Sequence, residues 1–177
     1  STQAKTLFPY TTLFRSGQGS RFWLRLPLVA CEAPVHTPDA RKPDVHTHDM
    51  AWRFLIADDH PVNRLLVKQV LQNTWPQSEI LEAADGAQAL QCLRDKTVDL
   101  VVMDMVMPVM DGIEATRTLR DGFAAPVCRV PILGLTANVN PVDLDAFRQA
   151  GLSAVMLKPF EPAQLCAKVE QLLLSRA

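Results

Sequence analysis

Four short apolar runs in this chain each stop at a residue able to do chemistry. Phe54-Leu55-Ile56-Ala57 stops at Asp58-Asp59, and Val101-Val102-Met103 stops at Asp104. Ile132-Leu133-Gly134-Leu135 stops at Thr136, and Ala154-Val155-Met156-Leu157 stops at Lys158. Runs of this length read as buried strands. Open α/β sheets bind ligands at the carboxyl ends of their strands. The pattern therefore gathers three carboxylates, a hydroxyl and an amine at one edge. Two like charges about 4 Å apart repel by roughly 4 kcal/mol at an effective dielectric of about 20. Such a cluster must raise a carboxyl pKa or recruit a cation. Lys158 offsets one negative charge, and a divalent ion would offset the rest. Mg²⁺ suits an all-oxygen, partly hydrated site.

The segments between these runs must carry the chain back across the sheet each time. Arg53–Ala57 is expected to be a strand, and Pro61–Asn73 a helix with Val62, Leu66 and Val70 on one face and Leu65 beside them. Glu79–Ala83 is a second strand, after which Asp85-Gly86 opens a helix carrying Leu90 and Leu93. Val98–Met103 is the third strand and Gly112–Arg120 a helix with Ile113 and Leu119 among its apolar positions. Val130–Leu135 is the fourth strand. Asn140 then caps a helix with Pro141 at its first position, burying Leu144 and Phe147 and stopping at Gly151. Ala154–Leu157 is the fifth strand, and Glu161–Leu174 closes with Leu165, Val169, Leu172 and Leu173 at helical spacing. Five alternations predict a parallel sheet with helices on both faces. Periodicity does not give the strand order. Other polar residues read more plainly. Asp111-Gly112 is a turn and helix start, Asn63 is structural, and His60 is a hydrogen-bonded loop residue rather than a catalyst. Met103, Met105, Met107 and Met110 are packing residues.

Asp58-Asp59, Asp104 followed by Met107-Pro108 and Asp111-Gly112, Thr136-Ala137, and Lys158-Pro159-Phe160 together resemble the receiver domain of two-component response regulators. The resemblance spans Arg53–Leu174. It implies a flavodoxin-like (βα)5 doubly wound sheet of order 2-1-3-4-5, for which a member of that family is itself a standard example. It implies Mg²⁺ held by Asp59, Asp104 and the backbone carbonyl of Val106, with Asp58 acting mostly through water. Asp104 would be the phosphoacceptor, attacking a phosphoryl group carried by a phosphohistidine and becoming an acyl phosphate. Mg²⁺ and Lys158 would neutralise the phosphoryl oxygens, so the site works by positioning and electrostatics. Thr136 would donate its hydroxyl to the new group, and Ala137 would leave room and offer a backbone N–H. The added charge could bias two states of the domain. The family implies a cis bond at Lys158-Pro159. One position departs from the pattern: Val155 stands where the family usually carries the aromatic residue that relays phosphorylation, so output through another surface is expected.

The flanks suggest a larger parent. Residues 1–16 contain a stretch that reads like one frame of a sequencing-library adapter and is set aside as an artefact. Residues 17–28 alternate like a strand after a Gly-x-Gly turn and resemble the last strand of a histidine-kinase ATPase domain. No ATP-binding box accompanies them, so no nucleotide binding is expected. Residues 29–51 are proline-punctuated and aperiodic, a linker whose His36, His46 and His48 are read as solvated rather than metal-binding. Residues 52–177 are the receiver. The sequence stops soon after the last helix, which favours the C-terminal receiver of a hybrid sensor histidine kinase. The alternatives are a stand-alone response regulator, an unphosphorylated interaction module of the same fold, and a Mg²⁺-dependent phosphatase. The last is disfavoured by Met105 and Val106, where a second aspartate would be expected. Expected partners are the phosphohistidine of a kinase and a histidine phosphotransfer (HPt) protein or domain. A net charge of −1 argues against nucleic acid. Four scattered cysteines, Cys31, Cys92, Cys128 and Cys166, fit unpaired thiols in a reducing cytoplasm. No apolar run is long enough to span a membrane, and the expected location is cytoplasmic. Whether the chain is an enzyme in its own right stays open; self-phosphorylation and dephosphorylation at Asp104 are its expected chemistry.

Overall fold

Strands with apolar side chains on both faces can only be satisfied by helices on both faces, and that is the arrangement found. The computed structural model describes residues 50–138 and 141–175. The readings made on residues 1–49, and on Asn140 as a cap, lie outside them. The elements are β1 (Arg53–Ala57), α1 (Pro61–Thr74), β2 (Glu79–Ala83), α2 (Gly86–Asp95), β3 (Leu100–Asp104), α3 (Gly112–Gly122), a 3-10 turn (Val127–Arg129), β4 (Ile132–Thr136), α4 (Pro141–Ala150), β5 (Ala154–Leu157) and α5 (Pro162–Leu174). All strand pairs are parallel, in the order β2-β1-β3-β4-β5. This is the expected flavodoxin-like order.

The side-chain period of two sorts each strand between two cores. Leu55, Val101, Met103 and Ile132 pack with Leu90, Leu93, Leu119 and Phe147 from α2, α3 and α4. Phe54, Ile56, Val102, Leu133 and Leu135 pack with Val67, Leu71, Leu165 and Val169 from α1 and α5. Trp75, just past α1, closes this second core edge-on against Phe54, ring centres 5.6 Å apart. The caps follow local chemistry. Asp85 Oδ1 accepts from Gln88 N at 2.8 Å and Asp111 Oδ1 from Glu114 N at 2.8 Å, so each aspartate opens the helix that follows it. Cys92, Cys128 and Cys166 are free thiols.

Two readings need correction. The inner face of α1 is Val67 and Leu71, with Val70 packed beside them; Val62, Leu65 and Leu66 point to solvent. Apolar residues occupy so many positions between 62 and 71 that more than one stripe fits the helical period, and the sheet selects between them. The third and fourth strands also begin later than expected. Val98 is buried but lies outside the ladder: at that end the Arg53 N–H donates to the Asp99 side chain, Oδ2 at 2.9 Å, rather than to a backbone carbonyl. Pro131 has no N–H to donate, so β4 begins at Ile132. β3 in turn includes Asp104 as its last residue.

Candidate functional site

The chain turns to opposite sides of the sheet from β1 and β3, which opens a crevice between their carboxyl ends. Ala57 pairs with Met103, so the next residues, Asp58 and Asp104, lie side by side. Backbone bonds just past the ladder pin this edge. Asp58 N donates to Ala83 O at 3.2 Å, Met105 N to Leu135 O at 2.9 Å and Lys158 N to Thr136 O at 2.7 Å. Asp58, Asp59 and Asp104 each offer a carboxylate oxygen within 4.8 Å of the others.

Three different environments result. Asp58 is 1% exposed. Its Oδ1 accepts from His60 N at 2.9 Å and Asn63 Nδ2 at 3.1 Å; its Oδ2 accepts from Lys158 Nζ at 2.7 Å and Asn63 Nδ2 at 3.3 Å. Asp104 is 7% exposed, with Oδ2 2.7 Å from Lys158 Nζ and Oδ1 accepting from Val106 N at 3.3 Å. Asp59 is exposed, and no hydrogen bond or ion pair ties its carboxylate to the described residues. Burial pushes the Asp104 pKa up; the Lys158 hydrogen bond and charge and the Val106 N–H pull against it, the Asp58 charge adds to it, and the net is a rise. Burial works against the Lys158 ammonium, yet its hydrogen bonds to Asp104 and Asp58, with both charges, outweigh that cost and raise its pKa. Lys158 is therefore a firmly protonated bridge between two carboxylates.

The remaining predicted residues stand around this centre. Thr136 ends β4, buried, but its hydroxyl faces the next loop: it donates to Asn138 O at 2.8 Å and accepts from Asn138 N at 3.3 Å. Ala137 is exposed beside it. The Lys158-Pro159 bond is cis, as the resemblance implied. The loop after β3 folds back tightly, Gly112 N donating to Met105 O at 3.2 Å. A Cβ on Gly112 would collide with the Asp104 carbonyl oxygen and with Met105, so only glycine lets the start of α3 approach this closely. His60 contributes its backbone N–H to Asp58.

Two residues at the site were not anticipated. Asn63 bonds the Asp58 carboxylate from the first turn of α1. Arg64 Nη1 donates to Asp58 O at 2.7 Å and Asp59 O at 3.3 Å, and its Nε lies 3.5 Å from Glu82 Oε2 on β2. The available signal for Asn63 was positional: it sits four and eight residues before Val67 and Leu71, on the inner face.

The sequence matches the description of the response regulator receiver domain over residues 54–170. The chain belongs to that family. It is 35% identical to the sensor protein EvgS of Escherichia coli (strain K12) over 88% of this chain and 12% of that protein. It is 31% identical to the autoinducer 2 sensor kinase/phosphatase LuxQ of Vibrio parahaemolyticus, over 83% of this chain and 17% of that protein. The chain thus spans less than a fifth of the length of these relatives. Among solved structures, the receiver domain of a sensor histidine kinase from Pseudomonas aeruginosa PAO1 superposes with a TM-score of 0.63 at 31% identity, over 70% of this chain and 98% of that one. That structure holds a magnesium ion in its active-site cleft. Chemotaxis protein CheY4 of Vibrio cholerae matches with a TM-score of 0.63 at 28% identity, over 70% of this chain and 99% of that one. As in this family generally, the fold is a five-stranded parallel receiver sheet.

The donor set fits a hard cation. All the charged groups but Lys158 are oxygens, and oxygens on opposite sides of a Mg²⁺ ion lie roughly 4.2 Å apart, close to the spread of these carboxylates. Among the described residues, no helix is long and apolar enough to cross a membrane.

Proposed function

We propose that Asp104 of this receiver accepts a phosphoryl group from a phosphohistidine, within a phosphorelay fed by a sensor histidine kinase. A carboxylate oxygen of Asp104 forms the new O–P bond. The P–N bond to the donor imidazole breaks, and its electron pair returns to the imidazole nitrogen. Lys158 already lies within 2.7 Å of Asp104 Oδ2 and follows the charge onto the phosphoryl oxygens. Asp59, Asp104 and the carbonyl of Val106 would hold Mg²⁺, with Asp58 reached through water because the chain's own donors already fill its oxygens. Bound there, the ion supplies charge neutralisation and alignment. Thr136 turns its hydroxyl from Asn138 O to a phosphoryl oxygen, and the backbone N–H of Ala137 offers a second donor.

The observation that carries this reading is Lys158 Nζ, 2.7 Å from both Asp58 and Asp104 on one crest with Asp59. The likeness to a sensor protein and to a sensor kinase/phosphatase supports a hybrid kinase parent; a cytoplasmic setting and exchange of the phosphoryl group with an HPt domain belong to this same proposal. An open cleft of about 340 Å³ beside the site is walled by Leu66, Val67, Pro159 and Phe160 and floored by Asp58, Asn63 and Lys158. With the exposed Val62 and Leu65, it offers apolar surface to a helical phosphohistidine carrier. Incubation with acetyl phosphate and Mg²⁺ should label the protein, and Asp104→Asn should abolish the label. Equal labelling of the variant would overturn the assignment.

A further inference from the structure

Asp58 is the most buried carboxylate of the site, and its donors come from three places: the His60 backbone, Lys158 at the end of β5, and Asn63 on α1. Lys158 is shared, since it bonds Asp104 at the same 2.7 Å. When Asp104 carries a phosphoryl group, Lys158 is drawn to the new oxygens, and Asp58 keeps only the donors from the start of α1. His60 N reaches one oxygen alone. Asn63 Nδ2 straddles both, at 3.1 and 3.3 Å, and so fixes the rotation of the carboxylate about its own axis.

Neither helix propensity nor capping accounts for Asn63. Asparagine is a poor helix former, and α1 is started by Pro61, with no side-chain cap from His60. The position lies on the inner stripe that continues as Val67 and Leu71, where an apolar residue would otherwise be expected. The amide here meets a buried carboxylate, the kind of contact by which partners one step removed from a metal orient its ligands.

Resting on the phosphoacceptor reading above, we infer that Asn63 is a positioning residue for the cation site. It holds Asp58 so that one oxygen faces the water shell of the metal while Lys158 is free to leave. Arg64 supports the same loop from behind through the Asp58 and Asp59 carbonyls.

The test uses the full chain and three measurements on wild type, Asn63→Ala and Asn63→Leu. Calorimetric titration with MgCl₂ should give a Kd roughly tenfold weaker in both variants. In acetyl phosphate labelling, the Mg²⁺ concentration for half-maximal rate should rise by a similar factor, while the rate at saturating Mg²⁺ returns to within about threefold of wild type. The melting temperature in EDTA should hold or rise for Asn63→Leu, which keeps the volume without the amide. A purely structural Asn63 predicts the reverse: a lower melting temperature in EDTA and an unchanged Mg²⁺ Kd, and that result overturns the inference. If Asn63→Ala does not fold, Asn63→Leu alone decides. If wild type itself neither binds Mg²⁺ nor labels, the phosphoacceptor reading has failed; if wild type does both and the variants match it, only the role of Asn63 has.

Discussion

A carboxylate buried beside another carboxylate costs the fold free energy until a cation or a proton neutralises it, and Asp104 is in that position. Its pKa is raised, burial being the largest cause, so its ionised form is disfavoured in the folded state relative to the unfolded chain. The sign follows from linkage: the penalty is present at neutral pH and disappears as pH falls through the raised folded value toward the ordinary 3.8. Asp104→Asn should therefore melt higher than wild type in EDTA at neutral pH, the difference closing at acid pH, while acetyl phosphate labelling is lost. A lower melting temperature at pH 7 would show that the Lys158 contact outweighs burial. Val109 is strained for a different reason. It has φ 68° and is 86% exposed, so a β-branched side chain sits in the left-handed region with no packing to compensate. That conformation costs an L-residue about 1–2 kcal/mol, and asparagine tolerates it far better. Val109→Asn should gain about 1 kcal/mol in urea unfolding; a loss would mean that Val109 makes a contact worth more than its strain.

The helix α1 carries two kinds of apolar residue that the chain does not distinguish by type. Leu71 is wholly buried, and Leu66 is 53% exposed at the lip of the cleft. Leu71→Ala should cost about 2–5 kcal/mol by cavity formation. Leu66→Ala should stay within about 0.5 kcal/mol, yet slow phosphoryl transfer from a phosphohistidine partner relative to labelling by acetyl phosphate. Equal rates with both donors would remove this face of α1 from the docking surface. The same helix shows where the sequence was legible. The strand ends at Asp58, Asp104 and Thr136 stood out because a polar side chain is costly inside a buried strand, so the first one after an apolar run marks where the strand leaves the core; the run before Lys158, expected to be buried as well, is instead a half-buried edge strand with Leu157 51% exposed. The face of α1 did not, because Val62, Leu65, Leu66, Val67, Val70 and Leu71 admit more than one stripe. Strand order was not readable from pattern either, since β3 and β4 are buried on both faces and carry no alternation to orient them; the resemblance supplied it. Arg64 was invisible because its partners, the Asp58 and Asp59 carbonyls, lie across the turn before α1, and Asn63 was marked only by its place on the inner stripe of that helix.

At the scale of the whole molecule, the site exists only when the fold does. Lys158 is 100 residues from Asp58 and 54 from Asp104 along the chain, and β1, β3 and β5 must be in register to bring them within 2.7 Å. An unfolded chain scatters these groups and has no comparable affinity for a divalent ion. Mg²⁺ that binds only the folded state stabilises it by RT ln(1 + [L]/Kd), about 2.7 kcal/mol at a hundredfold excess over Kd. For a domain of this size that is a rise of roughly 10 °C in melting temperature. Asp59 is the side chain best placed to show that the gain comes from this crest. It is exposed and holds no described residue with its carboxylate, so the metal-free fold does not depend on it. Asp59→Asn should thus leave the melting temperature in EDTA unchanged or slightly higher, because one of three crowded negative charges is gone. The Mg²⁺-dependent rise should shrink to what an equal ionic strength of NaCl produces. A variant that keeps the full rise would place the cation away from Asp59, and the three-carboxylate centre would have to be redrawn around Asp58 and Asp104 alone.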